Sequence, residues 1–537
     1  MRWKRYSFVF VSIAVLAAVT LFSLSFVHER PTYASDSVVY MKGAQSLAEG
    51  DGYTVNGRPQ TSWPPGYSCA LVMPLLICGS SVTAFKVMNV LFALGALVFQ
   101  LMFLKELKGR SHGLLLVTAL AVFFPWIYYT HFIGSDLLFT LLLSVFLWGG
   151  IRYRQDGSLA GFLFMTIALM FAPLVRMAGV SLFPAWIAGV FWTSPTDNRT
   201  SCGTENSKRV LGLKLGLLIV AAVPLCLWFL RNYLLLGNVS SISTGVTPEY
   251  MSSLSKIGIT QFNLLTKVWV NIRGYAHILL VPDQSGIARI GELNIVMHAA
   301  CWMISGIVIT GFAVSMCDRR KRFVAISFAC YLGMLLVHNW YGMRYLLPVM
   351  VVYLLFLVVG AEWIVRLVLS MVPGQKDAAR VDFVTRLMGT GALLLLVAAN
   401  LAFSVLSSQA KRLRSNQYDG VAQRIYEACR FVRDSDGEGA VLATGGGFTG
   451  IWTGRKVRTV HSLLDRDGKL VDKTLPDGIG FVLADEGDFV QYRSRYLQPL
   501  IDANREQLKE VFRQNDTIVY QVKGGKSRGR EKEKNRR

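Results

Sequence analysis

Two aspartates next to apolar segments have the chemistry that a catalytic site needs. Asp36 lies in "TYASDSVVY", just after an apolar run at 7–27, and Asp136 opens the apolar stretch "DLLFTLLL". A carboxylate can take the proton from an attacking hydroxyl group. Placing a charged acid in or beside the hydrocarbon of a membrane costs free energy, so an acid found there is a candidate for a functional residue. Aspartate is also a common helix cap. The local pattern alone therefore leaves both interpretations open.

Three arginines form a second unusual group, because each lies at the predicted outer end of an apolar segment. They are Arg176 in "APLVRMAGVS", Arg231 in "WFLRNYLLLGN" and Arg344 in "HNWYGMRYLLP". Basic residues collect on the cytoplasmic side of membrane proteins, and a guanidinium group binds phosphate through a planar fork of donors. Snorkelling to lipid headgroups would explain any one of them, but three together indicate a bound anionic group.

The elements that position these residues are predicted to be membrane-spanning helices. The chain has 537 residues, is 53% hydrophobic and has a mean hydropathy of +0.41, and its apolar blocks have the length that crosses about 30 Å of hydrocarbon. The spans are predicted at 7–27, 82–104, 113–131, 135–152, 159–175, 177–193, 211–231, 294–316, 323–338, 344–366 and 387–407. The predicted fold is thus an all-α polytopic membrane domain of about eleven transmembrane helices. Twelve or thirteen is the alternative, because the short apolar segment 67–79 either crosses or dips in from the outer surface.

Charge sets the predicted orientation. The net charge is +22, and the basic clusters fall in alternate loops, on one side if the N-terminus is cytoplasmic. We therefore expect a multi-pass plasma (inner) membrane protein that contacts membrane lipids and has an extracytoplasmic C-terminus. In a soluble protein this charge would suggest nucleic acid; here the loop pattern explains it, and no nucleic-acid partner is predicted.

The predicted domains follow from this topology. Residues 1–407 form the membrane domain, with outer loops at 28–66 and 232–293. The first of these loops contains an amphipathic interfacial helix over 37–49, with apolar residues at helical spacing. The region 408–525 is predicted to be a small soluble α/β domain, because it is charged and contains the β-like runs "GAVLAT" and "DTIVYQV". Residues 526–537 are a basic tail that we expect to be disordered.

No cofactor is predicted with certainty, and a divalent metal lacks support in the sequence. The eight cysteines are scattered without a C-x-x-C pair, and His131, His277 and His338 have no metal-ligand spacing. The run "TGGGFTGIWTGRK" lacks the phosphate-loop pattern, because Arg455 follows Gly454, so it is interpreted as a glycine-rich turn after a strand.

The order of these motifs resembles one family of membrane proteins. An outer loop with Asp36 and "LAEGDGY" is followed by "PPGY", "SDLLFTLL", "LVRMAG", "LRNYLLLGN" and "GMRYLLPVM". This order resembles the GT-C superfamily of membrane glycosyltransferases, over about residues 5–407. The resemblance is to the branch of dolichyl-phosphate-mannose mannosyltransferases and aminoarabinose transferases, which includes ArnT-like proteins.

The resemblance implies transfer of a sugar from a polyprenyl-phosphate carrier to an extracytoplasmic acceptor, with inversion. It implies that Asp36 is the general base and that Asp136 is the second acid, which helps to place the acceptor or the base. The departing lipid phosphate needs positive charge. The candidates for its binding are Arg231 and Arg344, with Tyr345, Arg58, Lys42 and Arg176 as further candidates. The residues expected to shape the substrate cavity are Tyr40, Trp63, Pro64, Pro65 and Tyr67.

Relatives often have another acid directly beside the loop aspartate, where this chain has Ser37. Because of that difference, the resemblance does not indicate whether a metal ion assists the reaction or which subfamily the chain resembles most. Two other classes also remain: a lipid or glycan transporter or flippase, and an O-antigen ligase or polymerase. Transporters often show inverted repeats and broken helices at the midplane, whereas ligases place key residues in a large late outer loop, such as 232–293. The sugar, the acceptor (lipid A, glycan or protein) and the carrier length are not encoded in any motif.

Overall fold

The structure is a computed structural model that describes residues 2–29, 35–55, 57–192, 204–236, 264–277, 295–338, 342–371, 378–406, 420–444, 446–463, 470, 472–485 and 493–523. The chain divides into two compact units. The membrane unit comprises Met1–Pro31 and Tyr40–Arg414, and the C-terminal unit comprises Thr32–Val39 and Ser415–Arg537. The predicted tail at 526–537 lies outside the described residues, as does most of the loop 232–293.

The part of the chain up to Leu406 is helical apart from one small hairpin, as far as it is described. Its helices are α1 (Arg2–Leu24), α2 (Ser35–Ala48), α3 (Gly66–Cys78), α4 (Val82–Lys108), α5 (Arg110–Ala121), α6 (Phe124–His131), α7 (Asp136–Asp156), α8 (Leu159–Val175), α9 (Leu182–Ile187), α10 (Thr204–Leu236), α11 (Leu264–His277), α12 (Ile295–Cys317), α13 (Arg322–Val337), α14 (Met343–Leu346), α15 (Met350–Ser370) and α16 (Ala378–Leu406). A 3₁₀ turn at Met177–Ser181 precedes α9, and a π-helical turn at Ala188–Trp192 follows it.

Within the described residues, seven helices are long and apolar enough to cross a membrane, or eight if one bent pair forms a single span. Three of the remaining predicted spans correspond to shorter apolar helices, at Leu159–Val175, Met177–Phe191 and Arg322–Val337. The polytopic helical architecture is therefore confirmed, whereas the count of eleven spans stays a prediction. The short segment 67–79 is helix α3, which is apolar but has only 13 residues.

The third predicted span, 113–131, is not one straight helix. It is divided into α5 and α6, whose axes differ by 58°. The break precedes Pro125, which occupies the first turn of α6. Proline has no N–H to continue the hydrogen bonds of α5, and it disfavours a helical conformation in the residue before it. The bend places His131 and the loop after it at the start of α7.

Two further helices of the membrane unit, α12 and α15, pack closely against each other. Helix α12 packs against α15 at a pair of glycines, where a Cβ on Gly360 would lie 2.0 Å from the carbonyl oxygen of Ile307. A Cβ on Gly311 would likewise lie 1.8 Å from the carbonyl oxygen of Phe356. These backbones touch because neither residue has a side chain. The contact fixes α15 and the short α14 that precedes it.

The first outer loop contains more regular structure than the sequence indicated. The predicted interfacial helix is present as α2. It is followed by a two-stranded antiparallel hairpin of β1 (Thr54–Val55) and β2 (Arg58–Pro59), which the sequence did not predict. Pro65 is the N-terminal boundary residue of α3, as expected for a proline-rich entry turn.

The C-terminal unit has the predicted α/β character. Its elements are α17 (Gly420–Asp434), β3 (Ala440–Ala443), α18 (Gly446–Thr453), β4 (Val457–Thr459), β5 (Ile479–Ala484), α19 (Gln498–Ala503), β6 (Leu508–Gln514) and β7 (Thr517–Val522). The sheet order is β4-β3-β5-β7-β6, with β3 parallel to β4 and β5, and β7 antiparallel to β5 and β6.

The glycine-rich run after β3 is a helix and not a turn. Residues Gly446–Thr453 form α18, although glycine is a poor helix former. Trp452 of this helix is buried in the core of the unit, so burial of a large aromatic side chain outweighs the low local propensity.

One face of the sheet also packs against the N-terminal end of α2. Val38 is 3% exposed and lies in the same apolar cluster as Ala428, Cys429 and Phe481. Val38 is therefore part of the core of the C-terminal unit, although it precedes the other members of that apolar cluster by more than 380 positions. Asp36, two residues before Val38, belongs to this unit.

Candidate active site

The clearest charged cluster in the membrane unit is Asp136 with two arginines. Arg176 Nη1 donates to Asp136 Oδ1, and Arg344 Nη2 donates to Asp136 Oδ2 at 3.4 Å. Asp136 is only 1% exposed, whereas the side chains of Arg176 and Arg344 are 10% and 24% exposed. One carboxylate and two guanidinium groups leave the cluster with a net charge of +1. We call these three residues the arginine–aspartate cluster.

The start of α7 positions the carboxylate. Asp136 is the first residue of the helix, and Ser135 before it makes no side-chain capping bond to the helix. Asp136 therefore lies where the unpaired N–H groups of a helix favour negative charge. Its backbone carbonyl accepts from Thr140 Oγ1 at 2.7 Å, which adds a bond within the first turn of α7.

Arg176 reaches the carboxylate because α8 ends at it. Its backbone is extended, with φ −147° and ψ 135°, between the last turn of α8 and the 3₁₀ turn that follows. A helix that continued through this residue would direct the side chain elsewhere. The predicted interruption between the fifth and sixth spans thus has a direct role in placing the guanidinium group.

The ring of Tyr345 lies close to both guanidinium groups. The Arg176 and Arg344 Cζ atoms are 5.3 and 5.6 Å from the centroid of the Tyr345 ring, and Arg344 also lies 5.2 Å from that of Phe132. Contacts with aromatic faces favour cations at these distances, and they hold the two like charges near one carboxylate. Tyr345, predicted from the sequence as a phosphate-site residue, is therefore part of the cluster's surroundings.

Tyr331 is a contributor that the sequence analysis missed. It is fully buried on α13, and its hydroxyl donates to the carbonyl oxygen of Tyr345 at 2.7 Å. A buried tyrosine normally finds a partner for its hydroxyl group, but nothing in the local sequence "SFACYLGMLL" shows which residue that partner is.

Two of the predicted cavity tyrosines join a hydrogen-bonded network beside the cluster. The Tyr40 hydroxyl lies 3.0 Å from Ser135 Oγ, and the Tyr67 hydroxyl donates to Asn89 Oδ1 at 2.7 Å. The Tyr40 and Tyr67 rings meet edge to face, with centroids 4.9 Å apart. Asn89 also donates to the carbonyl oxygen of Phe132 at 2.6 Å. The network therefore reaches both ends of the short loop that precedes Asp136.

Arg231 binds the first outer loop. Its Nη1 donates to the carbonyl oxygen of Gln60 at 2.9 Å and its Nη2 to that of Tyr53 at 3.2 Å. The adjacent Asn232 donates to the carbonyl oxygen of Thr61 at 3.0 Å. Two consecutive side chains of α10 thus hold the hairpin that carries β1 and β2, a function that the sequence analysis did not assign to either.

The remaining predicted residues occupy the first outer loop. Lys42 is half-buried on α2, and burial lowers the pKa of its ammonium group. Trp63 and Pro65 are half-buried, and Pro64 is buried, with its carbonyl oxygen 3.4 Å from the hydroxyl of Tyr53. The backbone of Arg58 lies in β2, and its side chain is outside the described part of the structure.

Asp36 lies in the first turn of α2, where it is half-buried. It belongs to the C-terminal unit, whereas Asp136 belongs to the membrane unit. Among the described residues, no group of three or more His, Cys, Asp and Glu side chains is arranged to hold a metal ion.

Comparison with known proteins relates this architecture to solved structures. No protein-family model matches the chain, and no curated protein matches it in sequence. ArnT from Cupriavidus metallidurans bound to undecaprenyl phosphate matches with a TM-score of 0.59, over 97% of this chain and 99% of that one, at 12% identity.

The chain has the ArnT fold.

The apo state of the same ArnT matches with a TM-score of 0.57 and 13% identity, over 96% of this chain and 98% of that one. Because the identity is so low, the similarity is one of fold. It confirms the predicted resemblance to ArnT-like proteins at the level of the fold. The match also extends beyond residues 5–407, where the sequence motifs ended, into the C-terminal unit.

Proposed function

We propose that this protein is a membrane glycosyltransferase that transfers a sugar from a polyprenyl-phosphate carrier to an extracytoplasmic acceptor with inversion. The observation that carries the proposal is the arginine–aspartate cluster, a buried group of net charge +1 in a chain with the ArnT fold. The ArnT of this comparison binds undecaprenyl phosphate, so a lipid phosphate is the anion that we assign to the cluster.

The arginines stabilise the leaving group. As the bond between the anomeric carbon and the phosphate oxygen breaks, its electron pair moves onto the phosphate, whose charge increases. Fixed guanidinium groups in a site with little water stabilise that charge without having to reorient. Arg176 and Arg344 do this, and Tyr345 beside them contacts the phosphate or the sugar.

Asp136 orients the two arginines in this proposal. It binds one nitrogen of each guanidinium group, and a fork anchored on one edge presents its other donors in a defined plane. This role is more specific than the placement of acceptor or base that the family resemblance implied.

We assign the role of general base to Asp36, because it is the aspartate of the first outer loop in the order of motifs that resembles ArnT-like proteins. The acceptor hydroxyl attacks the anomeric carbon on the face opposite the phosphate, which inverts the configuration, and its proton passes to the Asp36 carboxylate. No strong acid is needed, because the leaving group is a phosphate. Lys42 and Arg58 remain proposed contacts of the phosphate.

The other predicted residues shape the entrance for the lipid carrier. Tyr40, Trp63, Pro64, Pro65 and Tyr67 belong to α2, the entry turn and α3, which we propose to lie at the outer face of the plasma membrane. Arg231 keeps the adjoining hairpin in place rather than binding the donor directly. The acceptor is proposed to be lipid A, another glycan or a protein.

The test compares envelope glycolipids and glycoproteins by mass spectrometry in cells without the protein, with the wild type, and with Asp36→Asn. We expect one sugar-bearing species that requires the wild type and is lost in the variant. Asp51→Asn is the matched control, because it makes the same charge change at an exposed position of the same loop and should retain the product. A product formed equally by Asp36→Asn and the wild type would remove Asp36 as the base. The absence of any protein-dependent sugar transfer would overturn the proposed function.

A further inference from the structure

Asn271 makes an unusually dense set of contacts between α11 and the end of α13. It is 3% exposed on α11, and its Nδ2 lies 3.3, 2.8 and 2.9 Å from the carbonyl oxygens of Leu335, Leu336 and His338. One side-chain amide nitrogen therefore lies within hydrogen-bonding distance of three carbonyl oxygens at the end of another helix.

Those carbonyls belong to the C-terminus of α13. The last four carbonyl groups of a helix have no partner within the helix, and α13 ends at Val337 with His338 already extended, at φ −68° and ψ 151°. A buried carbonyl group without a donor destabilises the folded state. The Asn271 amide supplies donors where α13 itself cannot.

A second residue on the same face of α11 is also buried. Tyr275 lies four positions after Asn271 and is 6% exposed. Of these two buried side chains, Asn271 makes the hydrogen bonds to the end of α13.

Tyr331 in the middle of α13 and His338 just after its end in turn contact the segment that carries Arg344. The Tyr331 hydroxyl donates to the backbone carbonyl of Tyr345 at 2.7 Å, and the His338 and Tyr345 rings have centroids 5.1 Å apart. Arg344 precedes Tyr345 in α14, a helix of only four residues. So short a helix has little stability of its own, and its position depends on these contacts.

We infer that Asn271 is a positioning residue for Arg344. By binding the end of α13, it fixes the contacts of Tyr331 and His338 with Tyr345, and these keep the neighbouring guanidinium group on Asp136. Its consequence for ligand binding rests on the proposed function: α11 thereby sets the affinity of the arginine–aspartate cluster for a lipid phosphate.

The first experiment measures position without any ligand. Hydrogen–deuterium exchange is followed in the peptide 342–349 of the purified full-length protein. Asn271→Ala and Asn271→Asp both remove the N–H donors, and the second is almost isosteric. We expect exchange in this peptide to rise about tenfold in both variants, since each loses buried hydrogen bonds, while a peptide in the middle of α7 stays unchanged.

The matched control is Asn400→Ala. Asn400 of α16 also donates from Nδ2 to a carbonyl oxygen of another helix, that of Ala119 in α5, at 3.5 Å. It is expected to leave exchange in 342–349 at the wild-type rate. Wild-type exchange in this peptide for both Asn271 variants would overturn the inference, whatever the protein's activity.

The second experiment measures the dissociation constant for undecaprenyl phosphate, used as the probe in nanodiscs. We expect Asn271→Ala to weaken binding about tenfold, Arg344→Ala to weaken it at least as much, and Asn400→Ala to have no effect. Weaker binding in Arg344→Ala but not in Asn271→Ala would overturn the link from α11 to the lipid phosphate. If the wild type fails to bind the probe, the proposed carrier site is wrong, and the exchange measurement still decides whether Asn271 positions Arg344.

Discussion

Arg344 lies 208 positions after Asp136 in the chain, and yet its guanidinium group donates to the Asp136 carboxylate at 3.4 Å. Arg176 binds the other oxygen of the same carboxylate. A carboxylate that is 1% exposed is stable as an ion only with such partners. The arrangement explains how an acid is accommodated at the start of an apolar helix, and it leads to the first prediction.

Asp136→Asn should destabilise the membrane unit, because it removes the negative charge that two partly buried guanidinium groups bind. Removal of one member of a buried ion pair costs about 3–5 kcal/mol. The measurement is thermal unfolding of the purified protein in detergent. The control is Asp156→Asn at the other end of α7, where the ion pair with Arg152 is exposed on both sides and is worth at most about 1 kcal/mol. Equal melting temperatures for the two variants would contradict the structural role of the cluster.

Arg231→Lys should loosen the first outer loop. A guanidinium group serves the carbonyl oxygens of Gln60 and Tyr53 together, whereas an ammonium group is a compact point charge that cannot span both in the same geometry. We expect faster hydrogen exchange over residues 53–61. The control Arg366→Lys alters a half-exposed pair with Asp382 and should leave that loop unchanged. Wild-type exchange in Arg231→Lys would show that the loop does not depend on this side chain.

Gly360→Ala should destabilise the packing of α12 on α15. The new methyl group would lie 2.0 Å from a backbone oxygen of Ile307, so the helices must separate, at a cost of about 1–3 kcal/mol or more. Gly306→Ala provides the contrast on α12, because nothing lies within 4 Å of its added Cβ. Alanine favours a helix over glycine by about 1 kcal/mol, so this variant should be as stable as the wild type or more so. Thermal unfolding of the two variants tests this: the melting temperature should fall in Gly360→Ala and should stay the same or rise in Gly306→Ala.

Val38→Ala should weaken the C-terminal unit, although Val38 lies near the beginning of the chain. Its side chain is 3% exposed in the apolar cluster with Ala428, Cys429 and Phe481, and loss of two buried carbon atoms costs about 2 kcal/mol. Faster hydrogen exchange in β3 and β5 is the expected result. Val39→Ala, the same change at a half-buried neighbour, should have a smaller effect. Equal hydrogen exchange in β3 and β5 for the two variants would show that burial of Val38 does not stabilise this unit.

We expect the protein to lose stability at alkaline pH because Tyr53 is buried. Burial raises the pKa of Tyr53 to about 12, from an ordinary value of 10.0. As the pH rises, the tyrosine of the unfolded chain therefore loses its proton before the tyrosine of the folded protein does. The contribution of Tyr53 to the free energy of unfolding is complete below about pH 10 and is lost as the pH rises towards 12. Two pKa units correspond to about 3 kcal/mol at most.

The measurement for Tyr53 is a set of melting curves between pH 8 and pH 12 for the wild type and Tyr53→Phe. The wild type should lose stability relative to the variant only above about pH 10. Tyr6→Phe, at a site that is 69% exposed, should follow the wild type at every pH. A constant difference between wild type and Tyr53→Phe across this range would contradict the raised pKa.

The helices were largely predictable from the sequence, because a run of about twenty apolar residues is a local signal that needs no tertiary information. The break before Pro125 has a local signal, the proline itself, although the predicted span 113–131 continued through it. The hairpin β1–β2 and the helix α18 were missed for a different reason: a two-residue strand pair has almost no periodicity, and burial of Trp452 outweighs the glycines around it.

The amino-acid sequence by itself determined that the chain is polytopic and helical, that it ends in an α/β region, and that Asp136 and three arginines are exceptional at their positions. Only the tertiary structure decided which of these residues meet. Arg176 and Arg344 bind Asp136, whereas Arg231 binds the first outer loop. Val38 packs with residues near the other end of the chain. The physical reason is that hydropathy and charge act over one helix or one loop, whereas an ion pair or a buried contact depends on how separate helices pack, which no local pattern specifies.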